Sequence, residues 1–189
     1  MSNFQESGIN FNFQDADWTT VKYDEHVAHR KVEKVLKPTK AVDFMGIHQG
    51  NRLFLIEIKN YRGHTQDEST REALNAGGEE LMRRIAIKVR DSIATATSEA
   101  RFSTHDEEFF TQVNSRLLDN KVKLTIIACI EWDVASEKER KVQMGIGLQK
   151  LKQKLVWLHP VRVSVNSVAN ITGILPDTQV SFISESLNK

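Results

Sequence analysis

The sequence predicts an α/β fold, and three observations carry that expectation. Leu53, Phe54, Leu55, Ile56 and Ile58 form an almost continuous apolar run, which suits a strand buried on both faces. Residues 123–132 form a second apolar run of strand length. Between them, Leu81, Ile85, Val89, Ile93 and Ala96 recur at helical spacing over 79–100. Strand, helix and strand in succession are the signature of a sheet covered by helices.

The remaining elements follow in order. Residues 1–18 read as a loosely ordered N-terminal arm, with Phe4, Phe11 and Phe13 available to tack it down. A helix is expected over 19–36, on the spacing of Val21, Ala28, Val32 and Val35, and Pro38 ends it. A strand follows over 41–47, then a turn over 48–51 in which Gly50 can adopt positive φ. The strand 52–59 comes next. Residues 61–78 are polar and read as irregular, with Gly77 and Gly78 just ahead of the 79–100 helix. After a polar connection over 101–108, a helix is expected over 107–118, then the strand 123–132. The charged stretch 135–140 reads as exposed. Leu148, Leu151, Leu155 and Leu158 mark an amphipathic helix over 146–158, ended by Pro160. The alternation over 161–165 reads as a strand, and the last twenty residues carry weak signals. With no internal repeat and no long linker, residues 19–189 are expected to form one domain.

Composition narrows the class of protein. The chain has 189 residues, 40% hydrophobic and 27% charged, an ordinary globular balance with enough length for a real core. A net charge of +1 provides no global basic field and leaves open a local basic groove. The single Cys129 cannot form an internal disulfide, and its apolar surroundings over 125–130 point to a buried, inert thiol. No run approaches the ~18 apolar residues of a membrane span, and the N-terminus lacks the apolar core of a signal peptide. A soluble, cytoplasmic protein without a membrane partner is the expectation.

One constellation carries chemistry. Phosphodiester cleavage requires a divalent cation to polarise the phosphate and acidify a water. It also requires hard oxygen ligands for that cation and a positive group to stabilise developing charge. Asp43, Glu57 and Lys59 supply these groups. Residues i and i+2 of a strand share a face, so Glu57 and Lys59 emerge together while Ile58 turns to the core. Such charges at the tip of an apolar strand are costly unless paired or bound to metal. A symmetric turn over 48–51 would pair Asp43 with Ile56, on the wrong face. An odd-length loop or a bulge is therefore required to bring the two carboxylates together.

Val42-Asp43-Phe44 followed by Ile56-Glu57-Ile58-Lys59 resembles the motif of the PD-(D/E)xK nuclease superfamily, which includes restriction endonucleases and Holliday-junction resolvases. Val42 stands where the superfamily's name has proline. The resemblance covers roughly residues 20–132. It implies a restriction-endonuclease-like αβββαβ core with a mixed central sheet flanked by helices. It also implies Mg²⁺, with Mn²⁺ able to substitute, held by Asp43 and Glu57, and a catalytic Lys59. Lys22-Tyr23-Asp24-Glu25 and the segment 86–92 are similar to stretches of uncharacterised bacterial proteins of this type.

Many members of the superfamily add a carboxylate from the first helix. Glu25, on the apolar stripe of the 19–36 helix, is the first choice for that third ligand and Asp24 the second; a partly exposed Glu at the stripe edge is the alternative. The resemblance also places a polar residue from the helix after the Glu-x-Lys strand near the site, which points to Lys88. Arg62, Arg71, Arg83 and Arg84, with Lys59 and Lys88, could build a phosphate-binding rim; a solvated charged face is the alternative. His26, His29, His48 and His64 show no shared ligand geometry and read as surface residues. The expected activity is metal-dependent hydrolysis of nucleic acid, DNA first, in restriction, repair or defence. The alternatives are an inactive nucleic-acid- or protein-binding module of the same fold, or a subunit active only in a homodimer or larger complex.

Overall fold

The computed structural model describes residues 1–102, 104–134 and 136–183. Parts of the expected 101–108 connection, the 135–140 stretch and the last twenty residues fall on Ser103, Ala135 and 184–189, outside the described residues. In chain order the elements are β1 (Ser2–Glu6), β2 (Ile9–Phe13), β3 (Trp18–Lys22), α1 (Val27–Val35), β4 (Phe44–His48), β5 (Arg52–Asn60) and α2 (Glu68–Phe102). There follow α3 (Glu107–Leu118), β6 (Lys123–Glu131), α4 (Glu137–Lys154), a 3-10 turn (Val156–Leu158), β7 (Arg162–Asn166), α5 (Val168–Ile171) and β8 (Thr178–Phe182).

A mixed five-stranded sheet, ordered β3-β4-β5-β6-β7, forms the middle layer. The β3–β4 and β4–β5 pairs are antiparallel, and β5–β6 and β6–β7 are parallel. The protein is therefore an α/β protein, as the alternation of patterns predicts. The pleat sends Leu53 and Leu55 to one face of β5, where they join Leu81, Ile85 and Val89 of α2, Val113 of α3 and Leu151 of α4. Phe54, Ile56 and Ile58 go to the other face and join Ile127 and Cys129 of β6. This two-sided burial explains the continuous apolar run. It also explains Cys129, whose thiol burial pushes well above its ordinary pKa. Within the central sheet the order is β-α-β-β-α-α-β-α-β. The helix α1 thus falls between the first and second strands, where the αβββαβ order puts a helix ahead of three strands.

Four boundaries differ from the sequence reading. The N-terminal segment is not a loose arm. β1 and β2 form a hairpin, β8 pairs with β2, and this second sheet covers the back of the central one. Ile9, Phe11 and Phe13 are fully buried against Phe44, Phe54, Ile56 and Ile58. Burying each such side chain contributes roughly 1.5–3 kcal/mol, enough to hold a hairpin down. Next, the expected 19–36 helix is two elements. Trp18 to Lys22 pairs with β4 as a strand, because Trp, Thr and Val suit a pleated surface next to an open edge, and only Val27–Val35 is helical. Finally, α2 starts at Glu68, well ahead of the expected helix start, and runs through Gly77 (φ +66°) and Gly78 (φ +71°). At Gly77 a Cβ would lie 2.6 Å from Ile146, so the glycine that reads as a breaker is where α4 approaches closely. The helix α4 also begins early, capped by Ser136, whose Oγ accepts from the Glu139 amide.

Candidate functional site

The β4–β5 connection determines the geometry of the site. His48 pairs with Arg52, leaving a three-residue loop with Gln49 (φ +46°) and Gly50 (φ +64°) in left-handed conformations. The last pair of the ladder is Phe44 with Ile56, so the next position outward sets Asp43 opposite Glu57. This is the odd-length loop that the two carboxylates require. Asp43 is 2% exposed and stands just before β4, where the Ile58 amide donates to its Oδ2 (2.6 Å).

Glu57 is 1% exposed and faces α2. Lys59 Nζ lies 2.6 Å from its Oε1, and Lys88 Nζ lies 2.7 Å from the same oxygen. The Lys88 ammonium also donates to Glu57 Oε2 (2.9 Å) and approaches Asp43 Oδ1 (3.4 Å). Lys59 also donates to the Ile58 carbonyl (2.8 Å), which fixes the ammonium beside Glu57. Burial, then the neighbouring Asp43, pushes the Glu57 carboxyl above the usual carboxylate range, against the pull of Lys59 and Lys88. Burial alone would lower Lys59, but Glu57 and Asp43 outweigh it and hold the ammonium above its ordinary value.

Two further acids lie close to Asp43. One ligand oxygen each from Glu6, Asp24 and Asp43 lies within 4.8 Å of the others. Among the described residues Asp24 Oδ1 is buried without a hydrogen-bond partner, and burial, with Asp43 and Glu6 nearby, pushes Asp24 up to about 6. Glu6 sits at the end of β1, and the turn after it is fastened to β5 by Asn60 Nδ2 donating to the Ser7 carbonyl (2.9 Å). Hard carboxylate oxygens, one of them buried and unsatisfied, suit a divalent cation such as Mg²⁺ or Mn²⁺.

The third-ligand expectation at Glu25 is corrected. Its carboxylate is exposed and pairs with Lys22 (2.6 Å), which also holds it below its ordinary pKa. The stripe that nominated it joined a strand to a helix, and once β3 and α1 separate, Asp24 is the acid that turns inward. Of the expected phosphate rim, Lys59 and Lys88 touch the acids. Arg83 and Arg84 are both bound to Glu80, through Nε at 2.7 and 2.8 Å. Arg62 lies over the Phe182 ring, 4.3 Å from its centre. Arg71 lines a separate cavity of about 730 Å³ between α2, β6 and α4, together with Glu68, Glu72, Asp133 and Glu139. Sequence reasoning missed Glu6, because nothing in a polar N-terminal segment announces which residue a hairpin will carry to the site. It also missed the half-buried Tyr61, whose hydroxyl burial pushes up and which feels Arg84, Glu57 and Lys88.

Two of the four histidines are not on the surface. His29, on the buried side of α1, is 3% exposed, and His48, 2% exposed, bonds Asp177 Oδ2 (2.9 Å). His48 and Asp177 form a second compact group with Asp17, which ties the end of β4 to the residue before β8. Among the described residues no helix is long and apolar enough to cross a membrane. Comparison with protein-family models, curated proteins and solved structures found no match to this chain.

Proposed function

We propose that the protein is a metal-dependent nuclease hydrolysing phosphodiester bonds, with DNA as the preferred substrate. The observation that carries this reading is the buried pair Asp43 and Glu57, contacted by the ammonium groups of Lys59 and Lys88. Asp43 is the acid common to both sides of the site: Glu57 stands opposite it and Asp24 and Glu6 lie close to it, and these are the residues that would hold Mg²⁺. A bound divalent cation supplies polarisation of a phosphate oxygen and a water more acidic than bulk. Lys59, at the open end of β5, orients that water or balances the charge that develops on the phosphate. Lys88 touches both carboxylates, screens their repulsion and keeps them together.

The same two ammonium groups favour a second reading. Glu57 is charge-balanced within the chain, as it would be in a non-catalytic binding module of this fold. Incubation with plasmid, linear and branched DNA, with and without Mg²⁺ or Mn²⁺, separates the two. The nuclease reading expects metal-dependent cleavage that Lys59→Ala abolishes while calorimetric metal binding persists, because an ammonium is not a ligand. Asp43→Ala is expected to lose both. Cleavage by pure Asp43→Ala at the wild-type rate, or none by the wild type in any metal, would reject the assignment.

A further inference from the structure

We infer that α1 and the segment after it form the surface that grips the phosphate backbone of duplex DNA. This inference rests on the nuclease reading for its substrate class. Residues 30–40 hold Arg30, Lys31, Lys34, Lys37 and Lys40, with Glu33 as the one acid among them. All five cations are exposed, and among the described residues none forms an ion pair. Arg30 and Lys34 follow the i, i+4 spacing of one helix face, Lys31 lies beside Lys34, and Lys37 follows just past the helix end. The buried side of α1, Ala28 and His29, is turned to the core. In a protein of net charge +1 this is a concentrated local field.

Its position fits the acids. Asp24 lies just ahead of α1, and Lys40-Ala41-Val42 leads directly into Asp43. The Lys40 amide donates to Asp91 Oδ2 (3.0 Å), and Asp91 is one turn from Lys88 on α2. A phosphate backbone lying along α1 would therefore pass the acids at both ends of the run. By contrast, Arg83 and Arg84 already share Glu80, and contacts from them would cost those pairs. The exposed Val35 and Leu36 beside the lysines also suit an anionic membrane surface, but a nine-residue helix offers little apolar face for insertion.

The test is fluorescence anisotropy of a labelled duplex across a salt series, in Ca²⁺ so that binding is read apart from cleavage. Each lost phosphate contact flattens the slope of log affinity against log salt by about 0.9. Lys31→Gln/Lys34→Gln/Lys37→Gln is expected to flatten it by about 2.7 units. Arg30→Gln/Lys37→Gln should lose about 1.8, while Arg83→Gln/Arg84→Gln should lose less than about half a unit. Circular dichroism confirms that each variant folds. An unchanged slope in both α1 variants overturns the inference, as does loss confined to the Arg83/Arg84 variant, absence of duplex binding by the wild type, or binding to phosphatidylserine vesicles but not to DNA. Parallel assays on plasmid in Mg²⁺ keep the two readings apart. Binding through α1 without cleavage rejects the nuclease and retains this surface, and cleavage with an unaltered slope does the reverse.

Discussion

Asp24 is an acid with a buried oxygen that has no hydrogen-bond partner among the described residues, held close to two other carboxylates. Its folded pKa, about 6, lies above the ordinary 3.8. A raised carboxyl stabilises the fold fully below its unfolded pKa, and that contribution is lost as pH rises from about 4 through about 6. Glu57, also raised, acts with the same sign. The metal-free protein is thus expected to lose stability over that window, read by urea denaturation at a series of pH values. Asp24→Asn should flatten the profile and raise stability near neutral pH, while weakening Mg²⁺ affinity in calorimetry. Glu25→Gln should leave Mg²⁺ affinity unchanged, since Lys22 holds that carboxylate at the surface. Loss of Mg²⁺ binding in Glu25→Gln with none in Asp24→Asn would reverse the assignment of the third ligand.

At the scale of the element, the β3–β4–β5 meander positions the acids. The three-residue loop sets the register that puts Asp43 opposite Glu57, and one residue more or less would send them to opposite faces. Pairing of β3 with β4 depends on Gly46. A Cβ there would meet Thr20 Oγ1 at 2.9 Å and the Trp18 ring at 3.1 Å. Trp18 has little freedom to yield, because its Nε1 donates to the Pro176 carbonyl (2.8 Å) and its ring packs on Phe13 and Phe54. Gly46→Ala is expected to cost about 1–3 kcal/mol by overpacking, measured by chemical denaturation. A change smaller than about 0.5 kcal/mol would show that the β3 edge is looser than its packing indicates.

Across the whole molecule, two cores share the central sheet. The helices α1 to α4 cover one face, and the β1-β2-β8 sheet with α5 covers the other. The acids lie on the helical face, yet the hairpin that covers the back also brings Glu6 to the site. Chain ends that are distant in sequence meet there, with Phe13 opposite Thr178 and Ile9 opposite Phe182. Phe11→Ala is accordingly expected to destabilise the protein by about 3–5 kcal/mol, a core penalty. A loosely attached segment would show almost no shift in the urea midpoint.

Some of this was determined by the sequence itself. The apolar runs of β5 and β6 could be satisfied only by burial on both faces, which implied an α/β sheet. The charges of Asp43, Glu57 and Lys59 on such strands implied a site, because strand periodicity is local and each charge would be costly unpaired. The 107–118 helix and the 161–165 strand were legible for the same local reason. Tertiary structure alone decided which acids join Asp43. Asp24 and Glu25 are adjacent and chemically alike, and their directions depend on where β3 gives way to α1. That boundary is set by pairing with β4, a contact between segments well separated along the chain. Glu6 depends on a still longer pairing, since β2 is anchored by β8 at the other end of the chain. The use of each cation was likewise undecided until the fold brought partners together. Glu80 took Arg83 and Arg84, the acids took Lys59 and Lys88, and the lysines of α1 were left facing solvent.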